Sequence, residues 1–260
     1  GVEMTYTSQV FVSPASESEV SGENVLSQAN YNEIPEESGS AAAEKSVSFG
    51  QVEVEEDEDA VQVAVAALEE LFSKREYTVA IDLCKEVLTL VGEEPVLYIY
   101  LTKALYYLGK QSPSENKSAV LEETVVIGEK ALSLAREGGN DVSTLITALK
   151  WAAIAHNEIA GTKSLQEKLQ HYHILYTHLT EALSLTNQDA TLLMMMGRYA
   201  MGIAKLSWLE RTAAKAVFGT LPSLTYEDAC AHFQRAAALK PNWLLNLLWL
   251  GRSLVALRDR

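Results

Sequence analysis

The side chains of this 260-residue chain that suit acid–base or metal chemistry are chiefly its five histidines and two cysteines. Three histidines fall in the stretch HYHILYTH, at positions 171, 173 and 178. His171 and His178 are seven residues apart and share one face of a helix, whereas His173 points elsewhere. A zinc site needs three or four converging ligands. The stretch therefore predicts surface or packing histidines and no metal site.

Other patterns in the chain are also typical of packing. There is no Gly-rich phosphate loop and no cysteine pair at metal-binding spacing. Cys84 and Cys230 stand alone in helical patterns, as reduced intracellular thiols do. The methionines of LLMMMG (192–197) and the tyrosines of LYIYLTKALYYLG (97–109) suit core helices. The sequence thus predicts an interaction protein that is not an enzyme and that holds no cofactor.

The net charge of −14 is unevenly divided along the chain. Residues 1–60 hold fourteen acidic side chains and one basic, whereas residues 61–260 hold twenty-one acidic and twenty basic. The first segment is Ser- and Glu-rich without a hydrophobic period, which predicts a disordered acidic tail over 1–59. We expect a folded domain over 60–260, and its near-neutral charge disfavours binding to nucleic acid.

No apolar run approaches the ~18 residues that a membrane-spanning helix needs. The longest, LLNLLWLG, is far shorter. The chain begins with Gly1 rather than methionine, so we expect a membrane anchor, where one exists, upstream of Gly1.

From Ala60 onward apolar residues recur at spacings of three and four, which is typical of helices packed on one face. No segment alternates with period two, so the predicted fold class is all-α. Stop signals such as GEEP, REGGND and TNQD separate the segments. The predicted helices are 60–73, 76–91, 95–109, 115–136, 141–160, 164–186, 189–218, 224–239 and 242–258.

An internal repeat predicts how these helices are arranged. Ala229 is followed by Phe233 at +4, Ala236 at +7 and Pro241 at +12, the spacing of the second helix of a tetratricopeptide repeat. The same intervals recur at Ala80/Cys84/Val87, Thr124/Gly128/Ala131 and Leu175/Leu179/Ala182. Positions 87, 131, 182 and 236 are 44, 51 and 54 residues apart, against about 34 for the standard repeat. We therefore predict a tetratricopeptide-like α-solenoid of long antiparallel helix pairs.

The first helices of two predicted helix pairs share an apolar-Gly-Arg motif, at Gly197-Arg198 and Gly251-Arg252. We expect each glycine to make room for a neighbouring helix. The last helix, 242–258, is mostly apolar although solenoid ends need a polar cap. We therefore expect its outer face to be exposed.

Residues 190–242 resemble the regulator of microtubule dynamics family. The resemblance is carried by Gly197-Arg198-Tyr199, by LSWLER at 206–211, by Pro222-Ser223, and by EDACAHFQRAAALKP at 227–241. One departure is Cys230, where the family usually has leucine. The resemblance implies association with microtubules and the spindle. One family member is a mitochondrial outer-membrane protein that tethers mitochondria to the endoplasmic reticulum, and its helical domain binds phospholipid.

Two functions therefore stay open. The first is an interaction scaffold in the cytoplasm, at spindle microtubules or at the mitochondrial outer membrane. The alternative is a phospholipid-binding or lipid-transfer module at membrane contact sites.

The LSWLER motif suggests a structural role. We expect Trp208 to pack where a long helix crosses the next pair, and Glu210 and Arg211 to face outward. Pro222 is expected to set the angle of the next helix, because proline cannot continue inside one. Four bases on this predicted helix are candidates to meet an acidic partner such as a tubulin tail: Arg198, Lys205, Arg211 and Lys215.

The tail contains a short candidate docking motif, Val10-Phe11-Val12-Ser13. The family resemblance implies a phospho-dependent FFAT motif that docks on the major sperm protein domain of VAP proteins. Phe11 would fill a pocket, and phosphate on Ser13 would supply the charge that the motif needs. Pro14 stands where alanine or cysteine is usual.

Overall fold

A computed structural model describes residues 57–139, 141–218 and 221–259. Within these ranges the regular structure is helical, without a strand. The helices are α1 (Asp57–Ser73), α2 (Tyr77–Val91), α3 (Pro95–Gln111), α4 (Ser114–Glu137), α5 (Val142–Ala160), α6 (Leu165–Leu185), α7 (Ala190–Lys205), α8 (Trp208–Phe218), α9 (Tyr226–Leu239) and α10 (Leu244–Arg258). The all-α prediction is confirmed. Residues 1–56 of the tail predicted to be disordered lie outside the described residues. The predicted boundary after residue 59 is too late, because residues 57–59 form the first turn of α1.

Local capping chemistry explains why several helices begin where they do. Asp141 and Asp189 accept hydrogen bonds from the backbone N–H groups of Thr144 and Leu192, at 2.6 and 2.9 Å. Such bonds satisfy N–H groups that the first turn of a helix leaves without a partner. α6 and α9 begin with capping boxes, Ser164 with Glu167 and Thr225 with Asp228.

The helices pack as a solenoid. α1 pairs with α2, α3 with α4, α5 with α6 and α7 with α9. The first helices of successive pairs also contact each other: α3 contacts α1, and α5 contacts α3. In the same way α10 contacts α7. The second-helix positions that the repeat singled out are all buried: Ala80, Cys84, Val87, Thr124, Gly128, Ala131, Leu175, Leu179, Ala182, Ala229, Phe233 and Ala236. The tetratricopeptide-like prediction is confirmed, because the repeated small and apolar positions are those where helices meet.

The two apolar-Gly-Arg motifs have different surroundings. A Cβ atom at Gly197 would lie 2.7 Å from Cε1 of Phe233, so glycine there admits the ring of the neighbouring helix. At Gly251 an added Cβ would meet nothing within 4 Å, so the expectation was right for α7 and wrong for α10. Gly251 lies on an exposed apolar face of α10 together with Leu244, Leu248 and Val255. The predicted exposure of that face is confirmed.

The single helix predicted over 189–218 is wrong, because the chain breaks between α7 and α8. Ser207 and Glu210 form a reciprocal pair: the Ser207 N–H donates to Glu210 Oε2 at 2.7 Å, and the Glu210 N–H donates to Ser207 Oγ at 3.3 Å. The Arg211 guanidinium donates to the carbonyls of Ile203, Ala204 and Leu206, at the end of α7. These bonds satisfy backbone groups on both sides of the break.

This corner also corrects the expectations for Trp208 and Arg211. Trp208 is the first residue of α8 and is 79% exposed, so it does not pack against a neighbouring pair. Arg211 is half-buried against the end of α7 rather than facing outward. Pro222 lies half-buried in the segment before α9, and Pro241 lies just after α9 ends.

No helix among residues 57–139, 141–218 and 221–259 is both long enough and apolar enough to cross a membrane.

Candidate functional sites

Three helices bring a carboxylate and two histidines together. Glu129 comes from α4, His156 from α5 and His178 from α6. Glu129 Oε1 lies 2.9 Å from His156 Nε2 and 2.7 Å from His178 Nε2. Both histidines are buried, whereas the Glu129 side chain is 39% exposed. The cluster is therefore enclosed on its histidine side and open to solvent on its carboxylate side.

A third histidine, His171, extends this cluster along α6. The Nδ1 atoms of His156 and His171 are 2.8 Å apart, so one donates a hydrogen bond and the other accepts it. Burial, with a smaller contribution from His156, lowers the pKa of His171 to about 4. Burial alone would raise the pKa of Glu129, but hydrogen bonds from His156 and His178 outweigh it and lower that pKa to about 2.

Sequence reasoning found only part of this cluster. It placed His171 and His178 on one face of a helix and His173 elsewhere, and His173 is indeed exposed. It missed His156 and Glu129, because they come from different helices and their spacing along the chain carries no signal. That these histidines hold no metal stays a prediction.

Close to the histidine cluster, a group of three charged side chains joins α3, α4 and α5. Lys110 Nζ lies 3.2 and 3.3 Å from the two Glu158 carboxylate oxygens, and Lys117 Nζ lies 3.5 Å from one of them. The side chain of Glu158 is only 8% exposed. Glu158 and Lys117 line a polar cleft of about 120 Å³ with Asn157, Gly161 and Thr162. Pockets for small ligands measure roughly 300–1,000 Å³, so this cleft does not favour the phospholipid alternative.

The corner between α7 and α8 presents apolar side chains to solvent. Trp208 and Leu209 are both exposed, whereas Trp151, Trp243 and Trp249 are buried. We name residues 205–215 the α8 corner. Contiguous exposed apolar surface is typical of partner-binding sites, and Trp208 and Leu209 are neighbours in the chain.

The basic residues predicted to meet an acidic partner divide into two groups. Lys205 and Lys215 are exposed within the α8 corner. Arg198 is buried, with its guanidinium carbon 4.9 Å from the centre of the Trp249 ring, and Arg211 caps α7. The prediction is thus wrong for Arg198 and Arg211, because packing and capping already occupy their side chains.

The two cysteines lie in packed positions. Burial raises the pKa of the Cys84 thiol to about 12, which keeps it protonated and unreactive at neutral pH. Cys230 Sγ lies 3.0 Å from Ser253 Oγ in the interface between α9 and α10. The family usually has leucine at this position, whereas this chain has a cysteine that makes a polar contact. Phe11 and Ser13 lie outside the described residues, so the docking motif stays a prediction.

Comparison with known proteins identifies relatives along most of the chain. A family profile described as Regulator of microtubule dynamics protein 1-3 matches residues 64–260. Regulator of microtubule dynamics protein 1 of Pongo abelii is 29% identical over 212 residues, covering 77% of this chain and 64% of the relative. The Homo sapiens protein of that name is 31% identical over 140 residues, covering 54% of this chain and 45% of the relative. The chain thus spans less than two thirds of these relatives.

A solved structure described as the TPR2AB-domain:pHSP90-complex of yeast Sti1 aligns with a TM-score of 0.35 and 14% identity. It covers 78% of this chain and 85% of that one. The family profile extends from the second turn of α1 to the last residue, over about three quarters of the 260 residues. The chain therefore belongs to the Regulator of microtubule dynamics protein 1-3 family.

Proposed function

We propose that this chain is a non-enzymatic interaction scaffold that associates with microtubules through the α8 corner. The observation that carries the proposal is the exposure of Trp208 and Leu209 on a corner fixed by reciprocal capping bonds. The microtubule itself enters from the name of the relatives, Regulator of microtubule dynamics protein 1. The solenoid would hold the corner in place, and the corner would make the contact.

The side chains of the α8 corner suit this task. Tryptophan is enriched among the residues that dominate binding energy at protein interfaces. Because the capping bonds fix the start of α8, little backbone freedom remains to be lost on binding. Lys205 and Lys215 add exposed positive charge beside the apolar pair, which complements an acidic surface such as a tubulin tail.

Replacing both Trp208 and Leu209 by alanine is expected to weaken binding to taxane-stabilised microtubules at least about tenfold, since truncating one buried interface tryptophan costs ~2 kcal/mol or more. The measurement is co-sedimentation over a microtubule titration. The fold should be unaffected, because both side chains are exposed in the free chain.

The matched control is Leu90→Ala, which removes an apolar side chain that is 76% exposed on α2, far from the corner. We expect this variant to co-sediment like the unmodified chain. Equal binding by the double variant and the unmodified chain would remove the α8 corner from the proposal. A chain that never co-sediments would remove the microtubule role.

We also propose that the acidic tail makes a second contact, through the FFAT-like motif, and so tethers mitochondria to the endoplasmic reticulum. Support comes from the spacing of Phe11 and Ser13 in the sequence and from the family resemblance. On this proposal the chain works in the cytoplasm at the mitochondrial outer membrane as well as on spindle microtubules.

Phosphorylation of Ser13 is expected to tighten binding of a peptide spanning residues 1–22 to a VAP major sperm protein domain at least about tenfold. One charge-assisted hydrogen bond contributes ~1.5–3 kcal/mol, and a tenfold change needs only ~1.4 kcal/mol. Isothermal titration calorimetry would compare the unmodified peptide, the phosphopeptide and a Phe11→Ala phosphopeptide. Loss of Phe11 should abolish most of the gain. If phosphorylation left affinity unchanged, the tether proposal would fail while the solenoid assignment stood.

The second candidate function is binding of phospholipid. It is favoured by the same corner, because an exposed tryptophan flanked by lysines suits the headgroup region of an anionic membrane. Mass spectrometry of extracted, purified protein separates the two candidates. A phospholipid present at one molecule per chain would favour the carrier function, whereas its absence together with microtubule co-sedimentation would favour the scaffold.

A further inference from the structure

We propose that Glu129, His156 and His178 form a binding site for one zinc ion that fastens α4, α5 and α6 together, with water as the fourth ligand. The sequence alone predicted no metal here, because only two of the relevant histidines share a helix. The proposal does not depend on the scaffold function, and its test reads metal binding rather than microtubule binding.

The donor set has the chemistry that zinc prefers. Imidazole nitrogen and carboxylate oxygen are both common zinc ligands, and two histidines with one glutamate form an established three-ligand set. The three ligand atoms lie within 4.8 Å of one another, and both histidine contacts converge on the same oxygen, Glu129 Oε1. Two donors that bind one ion at ~2.1 Å can stand at most ~4.2 Å apart, so the cluster is close to the spacing that a single ion requires.

The spacing of the donors needs only a small adjustment. Zinc sits ~2.0–2.2 Å from nitrogen and oxygen ligands, so donors around a tetrahedral ion stand about 3.3 Å apart. The present separations from Glu129 Oε1 are 2.9 and 2.7 Å. The half-exposed Glu129 side chain can move outward to open the required space, because solvent rather than packed protein lies on that side.

The surrounding structure holds the ligands in position. α4 packs against α5, and α5 packs against α6, so the three ligands come from helices already in contact. Both histidine side chains are buried and cannot turn away to solvent. The exposed edge at Glu129 leaves a path for the ion and room for a water molecule.

His171 fits the position of a supporting residue. A metal-bound histidine usually donates its other ring N–H to a hydrogen-bond acceptor. The Glu129 carboxylate can only accept, so without metal both Nε2 atoms carry hydrogen. Zinc takes the Nε2 lone pair of His156, whose hydrogen then sits on Nδ1, and His171 Nδ1 accepts it at 2.8 Å.

The test uses the whole chain, stripped with a chelator and titrated with zinc chloride by calorimetry. We expect one equivalent of zinc to bind and to raise the unfolding temperature, because binding to the folded state alone stabilises it. Glu129→Gln and His178→Gln should each weaken zinc binding at least tenfold. His171→Phe keeps a ring in place but removes the acceptor, and should weaken binding about 10–100-fold.

The matched control is His173→Gln, on the same helix but exposed, which should bind zinc like the unmodified chain. A spectroscopic reading needs no variant: Co²⁺ in a site of low coordination number absorbs strongly in the visible, and one equivalent of zinc should abolish that band. Failure of the unmodified chain to bind zinc at micromolar concentration would overturn the proposal. So would unchanged affinity in Glu129→Gln and His178→Gln chains whose circular dichroism shows them folded.

Discussion

Replacing Phe233 by alanine is expected to lower the free energy of unfolding by ~3–5 kcal/mol, the usual cost of truncating a fully buried aromatic ring. Phe233 is fully buried between α9 and α7, where Gly197 leaves room for its ring. The Phe233 carbonyl also accepts a hydrogen bond from Asn246 Nδ2 at 2.9 Å, which ties α9 to α10. Urea denaturation followed by circular dichroism would measure the change.

The control is Leu239→Ala, at the partly exposed end of the same helix, for which we expect less than ~1 kcal/mol. A second comparison uses the close approach at Gly197. Gly197→Ala alone should destabilise, because its Cβ would meet the Phe233 ring at 2.7 Å. In the Phe233→Ala background that penalty should shrink. Equal costs at Phe233 and Leu239, or strictly additive effects at Gly197 and Phe233, would contradict the repeat register.

Replacing Glu158 by glutamine is expected to cost ~2–4 kcal/mol, because removing one partner of a buried ion pair leaves the other charge uncompensated. Glu158 faces Lys110 at 3.2 Å and Lys117 at 3.5 Å, so one substitution loosens contacts from both α3 and α4 to α5. The same denaturation experiment would measure the loss. Combining it with Lys110→Met should recover part of the stability, since the stranded charge is then removed.

The chain offers a matched control in an exposed ion pair. Lys130 Nζ lies 2.6 Å from Glu93 Oε1, and the two side chains are 38% and 59% exposed. Glu93→Gln should change stability by no more than ~1 kcal/mol, as is usual for surface pairs. A cost at Glu158 as small as that at Glu93 would show that solvent reaches the Glu158 cluster and that the three helices are held by apolar packing alone.

The helices and their repeat could be predicted from sequence because both depend on short-range spacing. The interval of four and then three residues at Ala229, Phe233 and Ala236 places small and aromatic side chains on one helical face. The same intervals in α2, α4 and α6 fall on buried positions. Most helix ends could be predicted for the same reason, because caps and stop signals lie within a few residues of the ends they define.

The break between α7 and α8 was missed although a local signal for it exists. Ser207-Trp-Leu-Glu210 has the S-x-x-E form of a capping box, but the alanine-rich periodicity on both sides favoured a continuous helix. The expectation that Trp208 packs between helix pairs depended on that continuous helix. In the structure the corner redirects Trp208 to solvent.

The histidine–carboxylate cluster could not be found from sequence by any comparable rule. Glu129, His156 and His178 come from three helices, and only the packing of α4 and α6 against α5 brings them together. Spacing along the chain predicts which side chains share one helix, but not which helices face each other or at what height.

The most direct test of the central claim, that the α8 corner is the microtubule-binding surface, is hydroxyl-radical footprinting of the chain with and without microtubules. The four tryptophans provide the readout, because Trp208 is exposed while Trp151, Trp243 and Trp249 are buried. In the free chain we expect rapid oxidation at Trp208 and slow oxidation at the other three. On microtubules Trp208 should become protected while the other three stay unchanged. Oxidation of Trp208 at the same rate in bound and free chains would contradict the claim.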